Sequence, residues 1–317
     1  MARSTSSPGI VVDPAAAVAR GGRPRPLVLN LFFSLRPGDW TKNLLVFAGL
    51  LFGQRLFDLR AVAAACAAFA IFCALSGVVY VINDIMDRES DRQHPLKSRR
   101  PIASGRVPVQ AAAATAGVVG VSAIAASFAL GPRFAAAAIA YVALLTLYSG
   151  FLKHIVVIDV LTIAIGFVLR AVAGAVAVNV EISHWLLVCT ILLALFMALA
   201  KRRHELVLLA DGATSHRRIL SEYSPYLLDQ MISVVTASTL LAYIFYTISP
   251  ETLDKFGTPW LWLTIPFPLY GILRYLYLVH RREGGGNPAE LLLSDRPLLV
   301  CVALWALTVA LLIYRPL

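Results

Sequence analysis

Little in this chain invites water. Charged residues make up 15% of it, against about 25% in average proteins. Cysteine is scarce too: Cys66, Cys73, Cys189 and Cys301 all fall in apolar runs, at spacings that suit neither a disulfide framework nor a metal centre, and they read as small buried residues. His94 has no second histidine or cysteine beside it, which leaves it unassigned and argues against zinc. A glycine-rich phosphate loop is missing. Gly284-Gly285-Gly286-Asn287-Pro288 has no strand before it and no Gly-Lys-Ser/Thr after it, and reads as a turn. The short run 15–18 is too weakly apolar for a signal-peptide core. No internal repeat is visible.

Apolar residues are what the chain has in plenty, 59% of the total. They gather in runs of about 20 residues, the length that crosses a bilayer as a helix. The predicted spans are 38–57, 59–83, 109–130, 134–151, 156–178, 185–206, 227–248, 259–279 and 298–314, about nine, with the first the weakest because it carries charge at both ends. Alanine and glycine are frequent in them, which allows close helix contact in lipid. The fold class is therefore an all-α polytopic membrane protein, with one transmembrane domain over 27–317. Residues 1–26, rich in Ala, Pro, Gly, Ser and Arg, read as a disordered cytoplasmic arm with Arg20, Arg23 and Arg25 near the lipid surface. Leu27 to Leu35 has the character of an interfacial helix.

The net charge of +10 sits in short loops between spans, which excludes a nucleic-acid partner. One side of the predicted membrane collects the N-terminal arginines, the 88–106 loop, Lys153 with His154, Lys201 to Arg203 with Arg217 and Arg218, and Arg281, Arg282 and Arg296. The other holds Arg55, Asp58, Arg60, Arg133, Glu181, His184, Glu251, Asp254 and Lys255. The positive-inside rule makes the first set cytoplasmic. The protein is then a multi-pass plasma-membrane protein with its N-terminus inside and, with nine spans, its C-terminus outside.

Every candidate functional residue falls on that cytoplasmic side. The densest stretch is Asn83-Asp84-Ile85-Met86-Asp87-Arg88-Glu89-Ser90-Asp91, where an apolar run meets a basic loop. On a helix Asp84, Asp87 and Asp91 line one face, and acids stacked this closely destabilise the helix unless a cation sits among them. Carboxylate oxygens are hard ligands and suit Mg²⁺ held jointly by protein and substrate phosphates. Lys97, Arg99 and Arg100 follow at once and suit phosphate oxygens. A solvated helix end would explain one Asp pair; it does not explain three acids at a membrane edge followed by three cations.

A second group comprises Tyr148, Lys153 and Asp159, with Arg170 eleven residues further on the same helical face as Asp159 and Gly166. Intramembrane ionisable residues are costly and face a polar cavity or a partner. Arg170 lies deep for cytoplasmic chemistry, and its alternative role is a structural bond to a carboxylate or carbonyls on a neighbouring helix. Lys201-Arg202-Arg203-His204-Glu205 ends the sixth predicted span. Glu205 is expected either to complete a second metal or phosphate site or to pair with Lys201 one turn away.

These motifs, in this order, resemble the UbiA superfamily of intramembrane prenyltransferases. That superfamily has nine transmembrane helices around a central cavity and an N-D-x-x-D-x-x-x-D motif after the second helix, matched by Asn83, Asp84, Asp87 and Asp91. Most members join a polyprenyl diphosphate to an aromatic acceptor and carry a second Asp-rich motif after the sixth helix. Here one acid, Glu205, stands in its place, which argues against that activity. The chain most resembles the decaprenyl-phosphate phosphoribosyltransferase branch, through Arg36-Pro-x-x-Trp40-x-Lys42-Asn43, Tyr80-Val-Ile-Asn-Asp, Asp91-Arg-x-His-Pro-x-Lys97, Arg100-Pro-Ile-Ala, Leu152-Lys153-His154, Leu169-Arg170-Ala and Lys201-Arg-x-x-Glu205-Leu206.

The resemblance implies transfer of 5-phosphoribose from 5-phosphoribosyl 1-diphosphate to a polyprenyl phosphate, with release of diphosphate, for a lipid-linked arabinose donor used in cell-wall synthesis. Asp84, Asp87 and Asp91 would hold Mg²⁺ on the leaving diphosphate, with Asn83 beside them. Lys97, Arg99 or Arg100 would bind its oxygens. Lys42 and Asn43 would hold the ribose or its 5-phosphate, and Lys153, Lys201 and Arg202 the acceptor phosphate. The bilayer is the other partner, and the reading leaves room for a homo-oligomer. A lipid-phosphate transporter is the alternative of another class; paired broken helices would favour it, and none is visible.

Overall fold

In lipid, the main chain must satisfy its own hydrogen bonds, so long apolar runs become helices. The computed structural model describes residues 26–94, 97–181, 183–208, 218–281, 291 and 294–314, and among these it is helical without strands. The helices are α1 Leu27–Ser34, α2 Ala48–Phe52, α3 Leu59–Met86, α4 Arg88–Gln93, α5 Val109–Ala129, α6 Pro132–Gly150, α7 Ile158–Ala177, α8 His184–Leu208, α9 Pro225–Ile248, α10 Pro250–Phe256, α11 Pro266–Arg281 and α12 Arg296–Ile313. The 1–25 arm, Arg217, Arg282, the Gly284–Pro288 turn and most of the two long polar connections lie outside the described residues.

Seven of the described helices, α3, α5, α6, α7, α8, α9 and α12, are long and apolar enough to cross a membrane. The two other expected spans are built differently. Residues 37–52 form an 11-residue 3₁₀ segment, Pro37–Phe47, running into the short α2. The 259–279 stretch divides into the 3₁₀ segment Trp260–Thr264 and α11. Prolines at 37, 259, 266 and 268 remove backbone donors, which favours helix starts and breaks over one unbroken run. The interfacial stretch is helical as expected, as α1.

The helices pack in chain order: α3 against α5 and α6, α6 against α7, α7 against α8, α8 against α9, α11 against α12. Tyr314, beyond α12, donates its hydroxyl to the Leu51 carbonyl at 2.9 Å, joining the end of the chain to α2. The 3₁₀ segment and α2 lie along α7 with almost no side chain between. A Cβ at Gly174 would sit 1.9 Å from the Val46 carbonyl oxygen, and one at Gly49 would sit 2.6 Å from the Ala175 Cα. That contact fixes the 3₁₀ segment carrying Asp39, Lys42 and Asn43. Gly174→Ala is therefore expected to cost about 2–3 kcal/mol, the upper range for overpacking, read as a lowered thermal midpoint in detergent.

Candidate active site

The acidic stretch bends where a straight helix was expected. Asp87 ends α3 with φ −90° and ψ 6°, and α4 starts at Arg88. Helical bonding survives the junction, from the Asp87 N–H to the Asn83 carbonyl at 2.9 Å and from the Asp91 N–H to the Asp87 carbonyl at 2.8 Å. The bend sorts the three carboxylates. Asp84 and Asp91 turn inward, 2% and 3% exposed. Arg100 Nη1 lies between them, 3.1 Å from Asp84 Oδ1 and 2.6 Å from Asp91 Oδ2. Arg36 pairs with the same Asp84 oxygen. Asp87 stands apart, accepting from Asn83 Nδ2 at 3.1 Å and from Lys153 Nζ.

The acids therefore do have cations among them, supplied by Arg36, Arg100 and Lys153. Among the described residues no three His, Cys, Asp or Glu side chains converge as an ion's ligand set. Asp84 and Asp91 present one oxygen each to the same Arg100 nitrogen.

Across from this group lies Lys42. Its ammonium donates to Asp39 Oδ1 at 2.6 Å and to the Tyr80 hydroxyl at 3.3 Å. Tyr80 stands one turn before Asp84 on α3, and its ring also carries the Arg36 guanidinium, 4.6 Å from the centroid. Lys201, exposed near the end of α8, lies within electrostatic reach of both Asp39 and Lys42. Asn43, one residue on, is fully buried. Its Nδ2 donates to Ser76 Oγ at 3.1 Å and its Oδ1 accepts from Arg170 Nε at 2.8 Å.

Arg170 finds its partners in neutral oxygens. Besides Asn43 it donates to the Gly166 carbonyl at 2.9 Å and to the Tyr141 hydroxyl at 2.6 Å, and it lies against the faces of Tyr141 and Phe167. It thus ties the 3₁₀ segment, α6 and α7 together inside the helix packing, and two carbonyl oxygens and a phenol hydroxyl, not a carboxylate, hold it.

Asp159 and Arg202 meet from α7 and α8, with Arg202 Nε 2.8 Å from Asp159 Oδ2. Arg202 also donates to Glu205 at 2.7 Å and to the Tyr148 hydroxyl at 3.3 Å. Glu205 forms an ion pair with Arg202, three residues away, and Lys201, one turn away, stays within electrostatic reach of it; at this helix end Arg202 is buried and Lys201 exposed. Tyr223 donates to the other Asp159 oxygen at 2.9 Å while accepting from the Val157 N–H at 2.8 Å. Burial pushes the Tyr223 hydroxyl up to about 12, and the Asp159 charge acts the same way. It stays a protonated donor at neutral pH.

Lys97 and Arg99 lie in the 3₁₀ turn Lys97–Arg99. The Lys97 N–H donates to His94 Nδ1 at 3.3 Å, Arg99 is exposed, and its carbonyl accepts from Arg106. Sequence reasoning missed Arg36, Asp39, Tyr80, Tyr141 and Tyr223 as members of these groups. Only Arg36, Asp39 and Tyr80 had a signal, being polar or aromatic residues in or beside quoted motifs.

A family model described as the UbiA prenyltransferase family matches residues 43–295. A protein of Mycolicibacterium smegmatis named decaprenyl-phosphate phosphoribosyltransferase is 35% identical over 306 residues, 92% of this chain and 95% of its own length. A protein of the same name from Corynebacterium glutamicum is 33% identical, covering 92% of this chain and 89% of its own. A solved UbiA homologue from Archaeoglobus fulgidus, bound to DMAPP and Mg²⁺, shares the fold with a TM-score of 0.68 at 19% identity, over 92% of this chain and all of that one. The chain belongs to the UbiA prenyltransferase family, as a multi-pass membrane protein, and groups there with the relatives named decaprenyl-phosphate phosphoribosyltransferase.

Proposed function

We propose that this protein transfers 5-phosphoribose from 5-phosphoribosyl 1-diphosphate to a polyprenyl phosphate, releasing diphosphate, for a lipid-linked arabinose donor. One observation carries the reading: the site holds two groups of cations, not one. Arg36, Arg100 and Lys153 surround the acids, and Lys42 stands at the Tyr80 hydroxyl beside Asp39, with Lys201 within electrostatic reach. A donor phosphorylated at both ends of a pentose uses both groups. A prenyl diphosphate uses one and leaves the other unmatched. Glu205, held by Arg202, also supplies no second acidic cluster for an aromatic prenyltransferase. The names of the relatives support the same substrate pair.

In this reading the leaving diphosphate lies at Asp84, Asp87 and Asp91. The donor set fits Mg²⁺ chemically, since Asp84 and Asp91 offer hard oxygens to a single cationic point between them. When bound there, the metal supplies neutralisation of the diphosphate charge. Arg36, Arg100 and Lys153 exchange their carboxylate partners for phosphate oxygens, with Lys97 and Arg99 at the rim. Lys42 and Lys201 take the 5-phosphate. Asn43 and Arg170 hold the 3₁₀ segment under Lys42, and Asp159, Tyr148 and Glu205 orient Arg202 toward the acceptor phosphate. That phosphate is already an anion, so transfer needs no strong general base. Carboxylates around the ribose stabilise the positive charge that builds on its C1. By the positive-inside rule this end of the bundle is cytoplasmic.

Purified protein in detergent, given Mg²⁺, labelled 5-phosphoribosyl 1-diphosphate and a polyprenyl phosphate, is expected to move label into the organic phase and to stop on chelation. Absence of that transfer, together with prenylation of an aromatic acid from a polyprenyl diphosphate, would overturn the reading.

A further inference from the structure

Tyr80 is used by two cations at once, and they belong to different groups. Its ring face carries the Arg36 guanidinium at 4.6 Å, and Arg36 reaches from there to Asp84. Its hydroxyl accepts from Lys42 at 3.3 Å, and Lys42 is otherwise held by Asp39. Two of the three ammonium protons of Lys42 are thus committed, which leaves one for an incoming anion. Arg36 itself has a left-handed backbone, φ 52°. A non-glycine residue stays in that region when its surroundings hold it there, and here the Tyr80 ring and the Asp84 carboxylate grip its side chain. The position of Arg36 is therefore set by Tyr80 from one side and that of Lys42 from the other.

An aromatic ring is a rigid body, and a cation on its face and a cation at its hydroxyl end cannot approach each other freely. We propose that Tyr80 is the spacer that sets the separation of two anion subsites, one at Arg36 and the acids and one at Lys42. It thereby selects a pentose donor that carries phosphate at both C1 and C5. This rests on the phosphoribosyl reading above and goes beyond it by naming the residue that measures the donor. Tyr80 acts through Arg36 and Lys42, and is a positioning residue. A merely structural tyrosine would weaken both subsites together; a spacer lets them be separated.

The experiment uses the full chain, purified in detergent with Mg²⁺, and two fragment probes, inorganic diphosphate for one subsite and ribose 5-phosphate for the other. Each is titrated by displacement of labelled 5-phosphoribosyl 1-diphosphate. Tyr80→Phe keeps the ring and removes the hydroxyl. It is expected to weaken ribose 5-phosphate about tenfold, because Lys42 loses the hydroxyl that orients it and must be ordered on binding, a cost of about 1 kcal/mol, and to leave diphosphate within about twofold. Tyr80→Leu removes the platform under Arg36 as well and is expected to weaken both probes; should it fail to fold, the phenylalanine variant decides alone. Equal weakening of both probes in Tyr80→Phe, or no change in either, overturns the spacer. A wild-type protein that binds diphosphate but not ribose 5-phosphate overturns the phosphoribosyl reading itself, and the spacer with it.

Discussion

Asparagine at position 84 will lower transfer by about three orders of magnitude or more while the protein stays folded. Asn and Asp have nearly the same shape, so the packing at the end of α3 has little reason to change. The charge does change. Asp84 is the carboxylate on which Arg36 and Arg100 converge, and it shares Arg100 with Asp91. Losing it removes one of the two hard oxygen sites facing a common point and leaves two guanidinium groups facing a neutral amide. An interaction worth several kcal/mol with the leaving group corresponds to about a thousandfold in rate at ~1.4 kcal/mol per decade. The rate of label transfer measures it, with the gel-filtration profile and thermal midpoint as the check on folding. A variant that keeps activity within about tenfold of wild type would remove Asp84 from the site. Asp87→Asn provides the comparison, because Asp87 is held separately by Lys153 and Asn83.

The acidic motif was legible because spacing along one helix is a local property. Asp84, Asp87 and Asp91 follow one another by three and four residues, and Arg100 is near enough in the chain to be guessed as their partner. The bend at Asp87 was not legible, since nothing in Met86-Asp87-Arg88 breaks a helix by composition. Partners far along the chain were equally out of reach. Arg170 and Asn43 are 127 residues apart, and each had separate roles assigned to it; the structure makes them one bond. Lys201 and Arg202 are adjacent, and only the rotation of α8 decides which of them is buried against Asp159. Apolar runs gave the membrane spans well where the helix is plain. They could not distinguish an α-helix from the 3₁₀ segment Pro37–Phe47, because a run's hydropathy does not register hydrogen-bond pattern. Gly174 was counted as one of many small residues, and its backbone contact with Val46 needs coordinates to be seen.

The largest expected loss of stability comes from Arg202→Met. Asp159 is 0% exposed and Arg202 3%, so neither charge has water to turn to. Removing the guanidinium leaves the Asp159 carboxylate with the Tyr223 hydroxyl as its remaining donor in the network. Tyr223, pushed up to about 12, stays neutral and cannot balance the charge. Breaking one side of a buried pair typically costs about 3–5 kcal/mol, because the other side is left buried and unpaired. The thermal midpoint in detergent should fall accordingly. The source of the loss can be separated from the loss of packing by a cycle. Asp159→Asn alone keeps an acceptor for Arg202, whose charge is still met by Glu205, and should cost less than Arg202→Met. Asp159→Asn combined with Arg202→Met removes the stranded charge and should be more stable than Arg202→Met alone. If the two losses simply add, Asp159 is not held as an ion by Arg202, and the pairing of α7 with α8 at this end rests on apolar contact instead.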